Sequence, residues 1–242
     1  MTATAEWRPS PNHGERAAGK PVDILLLHYT GMATAGAALD WLCSPQSNVS
    51  AHYLVTEDGS VVQLVDEARR AWHAGNSFWA GERDINSRSI GIEIANPGHQ
   101  LGYRPYPEIQ IEAVIALCRD IIDRHPISPE RVLGHSDVAP KRKEDPGELF
   151  PWRLLNSHGI GMWIPPTPIG GGPGARPDTL SLANRFRQFG YRVDDNDELD
   201  RDMSSVVAAF QRHFRPARVD GVADWSTVDT LERLLAALTS GT

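Results

Sequence analysis

Cysteine is scarce in this sequence: Cys43 and Cys118 are the two present among 242 residues. Two cysteines cannot form a disulfide framework, and their separation does not match the short spacing of a cysteine metal site. Cys118 falls on the apolar face of a predicted helix. We therefore predict that Cys118 is a buried core residue and that both cysteines have a structural role.

Concentrated positive charge is also lacking. The formal net charge is -7, and no block of lysine and arginine stands out. Nucleic acid is therefore excluded as an expected partner, because phosphate binding requires clustered positive charge. No apolar run approaches the roughly 20 residues of a membrane span, so no membrane partner is expected.

The first ten residues have no basic start, no apolar core and no cleavage site of a signal peptide. If Met1 is the native start, we expect a cytoplasmic protein. A trimmed start would leave a periplasmic or outer-membrane location open.

Proline and glycine dominate one segment, residues 163–177. Neither a helix nor a strand can persist there, so this segment is predicted to be a linker. It divides the chain into a larger part, 1–162, and a smaller part, 178–242. The smaller part is predicted to contain three short helices, over about 179–189, about 201–214 and from an N-cap at Ser226. Such a small bundle is expected to have modest stability.

The larger part mixes strands and helices. A continuous apolar run at 24–27 predicts a buried strand, and strict alternation at 89–95 predicts another, with three isoleucines on one face. Glu57-Asp58-Gly59 predicts a hairpin turn between 51–55 and 60–65. The 3.6-residue period over 108–124 predicts a long helix, and 33–42 and 131–133 predict a shorter helix and a short strand.

Two histidines and a carboxylate follow these elements. His28 ends the first buried strand, His135 follows another short strand, and Asp145 comes ten residues later. Such a set can hold zinc with a fourth position open for water, although spacing alone does not show that the three converge. Glu93 is a lone carboxylate on a strand of small and apolar residues. It is either an edge residue or a general base.

Five motifs occur in the order found in the type 2 N-acetylmuramoyl-L-alanine amidases, and the sequence over about residues 8–155 resembles that family. They are Leu-Leu-Leu-His-Tyr-Thr (25–30), Val-Ser-Ala-His-Tyr-Leu-Val (49–55), Ala-Trp-His-Ala-Gly (71–75), Ser-Ile-Gly-Ile-Glu-Ile-Ala-Asn (89–96) and Gly-His-Ser-Asp-Val-Ala-Pro with Arg-Lys-Glu-Asp-Pro-Gly (134–140 and 142–147). The resemblance implies an α/β fold with a mixed central sheet flanked by helices, shared with peptidoglycan recognition proteins and phage T7 lysozyme.

The resemblance also implies roles for individual residues. His28, His135 and Asp145 match the zinc ligands, Glu93 the catalytic acid, and Lys143 the lysine that faces the reacting carbonyl oxygen. His73 and Tyr29 match positions near the substrate groove. The implied reaction is zinc-dependent hydrolysis of the amide bond between N-acetylmuramic acid, or its 1,6-anhydro form, and L-alanine, with cell-wall recycling as the expected setting.

The tail resembles the helical peptidoglycan-binding module type 1, through Ala208-Ala209-Phe210-Gln211-Arg212-His213-Phe214 and Asp220-Gly221-Val222-Ala223-Asp224. Peptidoglycan fragments or muropeptides are therefore the expected partners. A non-catalytic recognition protein of the same fold and a zinc peptidase acting inside the stem peptide stay open as alternatives. The sequence does not decide between intact sacculus and soluble anhydro-muropeptide, and the oligomeric state is not predicted.

Overall fold

The computed structural model describes residues 5–170, 172, 178–194 and 199–240, with the backbone alone at 199–202 and 240. Eight strands lie in this part of the chain: β1 (Glu6–Trp7), β2 (His13–Glu15), β3 (Ile24–Tyr29), β4 (Tyr53–Val55), β5 (Val61–Gln63), β6 (Arg69–Ala71), β7 (Ser89–Ile94) and β8 (Val132–Gly134). The helices described are α1 (Ala35–Leu42), α2 (Ile85–Arg88), α3 (Gly98–Leu101), α4 (Glu108–Arg124), α5 (His135–Val138), α6 (Trp152–Ser157), α7 (Thr179–Phe189), α8 (Leu199–Phe214) and α9 (Trp225–Ser240), and Pro129–Arg131 form a 3-10 turn. None of the helices in the described part is long and apolar enough to span a bilayer.

Six strands form a mixed sheet in the order β1-β5-β4-β7-β3-β8. β3 is parallel to both β7 and β8, and the predicted hairpin is the antiparallel pair β4–β5. β2 and β6 form a separate antiparallel pair. The expected mixed sheet flanked by helices is confirmed.

The two faces of the central strands have different partners. Leu25, Leu27 and the three isoleucines of β7 are buried in one core cluster with the apolar stripe of α4. Full burial of an aliphatic side chain contributes about 1.5–3 kcal/mol, so this stripe accounts for the position of α4. The predicted bounds of α4, 108–124, are confirmed.

The opposite face of β7 carries Ser89, Gly91 and Glu93 and is built from small residues except at the carboxylate. A Cβ atom at Gly91 would lie 2.6 Å from the imidazole ring of His73, which is closer than atoms can pack. Gly91 therefore leaves room for a histidine against the sheet. This face, on which His28 lies beside Glu93 in register, has space for a polar site.

The C-terminal helices pack against the first part of the chain. Their apolar residues share one core cluster with Ile24, Leu26, Trp79 and Leu133. Trp79 is 1% exposed and meets the ring of Tyr191 at a centroid distance of 4.9 Å. A Cβ atom at Gly190 would come within 2.7 Å of that tryptophan, so the glycine allows the close approach. The small bundle thus completes its core with residues of the larger part.

The proline-rich start of the predicted linker is also held in place. The backbone N–H of Thr167 donates to Thr230 Oγ1 at 3.1 Å, and Arg233 donates to the carbonyl of Pro165 at 3.0 Å, so this stretch lies along α9. Residue 171 and residues 173–177 of the predicted linker lie outside the described part. Helix α9 begins at Trp225, and Asp224 Oδ1 accepts from the backbone N–H of Thr227 at 2.9 Å, so the predicted N-cap at Ser226 is wrong.

Candidate metal centre

Neighbouring parallel strands bring the two candidate histidines together. His28 is near the carboxyl end of β3, and His135 follows directly on β8, which pairs with β3 up to Leu27 and Gly134. The backbone N–H of Ser136 donates to the carbonyl of Asp145 at 2.9 Å and returns the following loop to the same place. All three side chains are buried, and their candidate ligand atoms lie within 4.8 Å of one another.

Three atoms converge in this cluster. His28 Nδ1 lies 2.8 Å from His135 Nδ1, and Asp145 Oδ2 lies 3.1 Å from the first nitrogen and 3.0 Å from the second. From the sequence, this convergence was predicted only through the resemblance to the amidase family, because 107 residues separate the two histidines.

A chain of hydrogen bonds fixes the proton positions on His28. The hydroxyl of Ser89 donates to the carbonyl of Ile85 at 2.7 Å, so its oxygen accepts from His73 Nε2 at 3.2 Å. His73 Nδ1 then accepts from His28 Nε2 at 3.0 Å. His28 therefore carries its proton on Nε2, and the Nδ1 lone pair points into the cluster.

His135 is oriented in the same way by a backbone carbonyl. Its Nε2 lies 3.1 Å from the oxygen of Ala74, which can only accept, so the proton is on Nε2 and Nδ1 is bare. The guanidinium of Arg142 donates to the same carbonyl at 2.7 Å. Two bare nitrogens and a carboxylate oxygen thus face each other, an arrangement that a cation between them would stabilise.

Burial and neighbouring charges favour the forms of these groups that bind metals. Burial and the nearby His135 lower the pKa of His28 to about 4, so its imidazole is neutral at pH 7. Burial opposes ionisation of Asp145, but attraction to the imidazoles of His135 and His28 in their protonated forms outweighs it and holds the pKa of that carboxyl below its usual range. Metal ligands must be deprotonated, and both shifts act in that direction.

Glu93 lies beside His28 on the adjacent strand, in direct register. Its Oε2 atom is buried and has no hydrogen-bond partner in the part of the chain that the structure describes. Burial, and then the negative charge of Asp145, raise the pKa of Glu93 well above its ordinary value, while Lys143 opposes the shift. A carboxyl group in this setting holds a proton at a higher pH than an exposed glutamate does, which suits a group that accepts and returns a proton.

A cavity of about 230 Å³ opens beside the cluster. Its lining includes the charged and polar groups Glu93, His135, Lys143 and Asp145 and the aromatic residues Tyr29, Trp41 and Trp72. The side chain of Lys143 makes no hydrogen bond or ion pair among the described residues, so its ammonium group is available to a ligand. The hydroxyl of Tyr29 lies 3.0 Å from His99 Nδ1, and burial raises the pKa of Tyr29 to about 12.

His73 also lines this cavity, but both of its ring nitrogens have partners inside the protein. Its contacts are those of a residue that orients His28, and its expected contact with substrate stays a prediction. Ser89 orients His73, and the carbonyl of Ala74 orients His135. Neither group was identified from the sequence. The one available signal was the position of Ser89 on the face of the strand that carries Glu93.

Known protein families match both the larger and the smaller part of the chain. Residues 18–148 match the family model described as N-acetylmuramoyl-L-alanine amidase, and residues 175–231 match a putative peptidoglycan binding domain. The amidase AmiD of Escherichia coli is 40% identical over 91% of this chain and 84% of its own length. The amidase AmpD of Enterobacter cloacae is 33% identical over 62% of this chain and 87% of its own length.

Solved structures show the same relationship. AmiD from E. coli, in complex with the substrate anhydro-N-acetylmuramic acid-L-Ala-D-gamma-Glu-L-Lys, aligns with a TM-score of 0.80 at 38% identity and covers 92% of both chains. AmpDh3 from Pseudomonas aeruginosa, in complex with anhydromuramic pentapeptide, also reaches a TM-score of 0.80, at 32% identity and over 96% of this chain and 98% of its own.

The expected cytoplasmic location is wrong. It relied on the first residues of the sequence, which do not establish where a protein resides. AmiD, which aligns with both parts of this chain, is an outer-membrane lipoprotein in E. coli.

The family model covers more than half of the chain, and AmiD aligns with nearly all of it. The mixed sheet and the histidine and aspartate cluster agree with that relationship. The chain therefore belongs to the N-acetylmuramoyl-L-alanine amidase family and is an enzyme that hydrolyses the amide bond between N-acetylmuramic acid and L-alanine.

Proposed function

We propose that the enzyme uses one zinc ion held by His28, His135 and Asp145. The observation that carries this proposal is the convergence of two bare imidazole nitrogens and a carboxylate oxygen within about 3 Å of one another. Tetrahedral zinc with bonds of about 2.0–2.2 Å separates its ligands by roughly 3.3 Å, so small adjustments of these side chains suffice. Three protein ligands leave one position open, as in catalytic zinc sites.

Zinc bound here would act as a Lewis acid and bring the pKa of a water ligand to about 7. Glu93, in register with His28, is placed to take a proton on its unpartnered carboxylate and pass it to the leaving nitrogen of L-alanine. Lys143, which lines the same cavity, is placed to donate to the oxygen that gains charge as the amide carbonyl is attacked.

The substrate class follows from the relatives. AmiD and AmpDh3 were solved with anhydromuramic peptides, and both align with nearly all of this chain. We therefore assign soluble anhydro-muropeptides as substrates, with Tyr29 and the exposed Trp41 lining the groove beside the metal ligands and His73 behind them. A recognition protein that does not cut its ligand would not need Glu93 and Lys143 beside the proposed zinc ligands. Glu93 can transfer a proton there, and Lys143 can stabilise negative charge.

We also propose the division of the chain into a catalytic part, 1–162, a connecting segment, 163–177, and a helical peptidoglycan-binding part, 178–242. The two family matches, 18–148 and 175–231, support this division. Five of the twelve residues that resemble the binding module are buried. Gln211, for example, is fully buried and accepts from the backbone N–H groups of Asp220 and Gly221 at 2.9 Å.

Digestion of a soluble anhydromuramyl tripeptide in ¹⁸O-enriched water tests the reaction. We expect a peptide with a free L-alanine amino group, and ¹⁸O in the carboxylate of the released anhydromuramic acid, both identified by mass spectrometry. Label in a peptide carboxylate would indicate a peptidase acting inside the stem. Tight binding with no cleavage under any metal condition would favour the recognition protein.

A further inference from the structure

A buried carboxylate, Asp137, joins the C-terminal helices to the segment that carries His135. Asp137 is 1% exposed and lies on α5, two residues after the candidate ligand. Its Oδ2 accepts from the backbone N–H of Gly134 at 2.8 Å and from His213 Nδ1 at 2.8 Å. Its Oδ1 accepts from the hydroxyl of Tyr191 at 2.7 Å. Both side-chain donors belong to the C-terminal part of the chain.

The imidazole of His213 is held firmly in its orientation. It is stacked between Trp152, at a centroid distance of 3.7 Å, and Phe214, at 3.9 Å. The preceding residue, Arg212, donates to Glu144 at 3.0 Å, and Glu144 is the neighbour of Asp145. Consecutive residues of α8 thus contact both α5 and the loop that carries the carboxylate ligand.

Helix α5 needs such support. It has four residues, which is far too short to be stable on its own, and it begins at His135. A buried carboxylate at its third position is stable only while donors surround it. If those donors were lost, Asp137 would move toward water and carry the backbone of His135 with it.

We propose that Tyr191 and His213 are positioning residues for the metal site, acting on His135 through Asp137. The C-terminal helices then complete the catalytic centre, in addition to any attachment to the cell wall. This inference rests on the proposed zinc function. It concerns residues that touch neither the substrate nor the metal.

The test uses the full chain with Tyr191→Phe and His213→Phe combined. Phenylalanine keeps a ring that can stack at position 213 and keeps the tyrosine ring at 191, while both donors to Asp137 are removed. Zinc affinity, measured by competition with a chromophoric chelator, should fall about 10- to 100-fold, the range found for residues outside the ligand set that orient the ligands. The visible spectrum of the cobalt-substituted protein should change as well, because it reports ligand geometry.

Leu231→Ala is the matched control. Leu231 is fully buried in the core of the C-terminal helices and has no hydrogen bond to Asp137. This variant should lower the melting temperature through a cavity, with zinc affinity within about twofold of the unmodified protein. A purely structural role of the C-terminal helices would instead make zinc affinity follow the melting temperature in both variants.

The inference is overturned if the folded double variant binds zinc within about twofold of the unmodified protein, or if Leu231→Ala loses as much affinity as the double variant. If the double variant does not fold, Tyr191→Phe alone is measured in the same way, and a loss under about threefold then overturns the inference. Failure of the zinc proposal would look different, because the unmodified chain itself would then not bind zinc.

Discussion

Glu93→Gln should reduce turnover of a soluble anhydro-muropeptide by about 100- to 10,000-fold, the range typical of a lost general acid–base group. Glutamine has nearly the same shape but cannot accept and return a proton. Because Glu93 lies beside the ligand cluster and is not a member of it, bound zinc should remain at the level of the unmodified protein. The loss should appear in kcat, with KM little changed.

Glu112→Gln is the control for that variant. Glu112 is exposed on α4, on the far side of the sheet from the cluster, so the same chemical change there should leave kcat and zinc content unaltered. Near-normal turnover of Glu93→Gln would contradict the proposed proton transfer. Loss of zinc together with turnover would instead place Glu93 among the groups that hold the metal.

His28→Ala should abolish both zinc binding and turnover. One of three protein ligands is removed, so zinc affinity should fall by more than the roughly 10- to 100-fold that follows loss of a ligand's partner. Elemental analysis after extensive dialysis measures this directly. The chain should still fold, because its core clusters on both faces of the sheet do not include this side chain.

His158→Ala is the corresponding control, since His158 is an exposed histidine that contacts Arg119 away from the cavity. It should keep full zinc content and activity. If His28→Ala retained zinc at the level of this control, His28 would not be a ligand and the proposed donor set would have to change.

The sequence predicted the scaffold of the site well because periodicity records burial directly. The helix over 108–124 and the alternation of β7 were both visible, and the alternation already separated the isoleucine face from the face of Glu93. The position of His28 on the buried strand β3, near its carboxyl end, was expected for the same reason. The short edge strands β1 and β2 have no such signature and were not predicted.

The residues that orient the metal-site histidines could not be predicted, because their role depends on contacts between residues far apart in the sequence. Ser89 lies 16 positions from His73, and His213 lies 76 positions from Asp137. Serine, aspartate and histidine are common in many roles, and their types alone do not pair them. The Pro/Gly segment favoured an independent tail, whereas the continuous core around Trp79 appears only when the chain is folded.

The proposed reaction depends on the metal site, and titration of zinc into metal-free enzyme tests that site most directly. Zinc is removed from the purified full chain with a chelator, and the release of peptide with an amino-terminal L-alanine is then followed as zinc is returned. We predict negligible turnover without metal and a rate that rises linearly to a plateau at about one equivalent, as expected for a single catalytic ion. Full turnover in the metal-free protein would contradict the account.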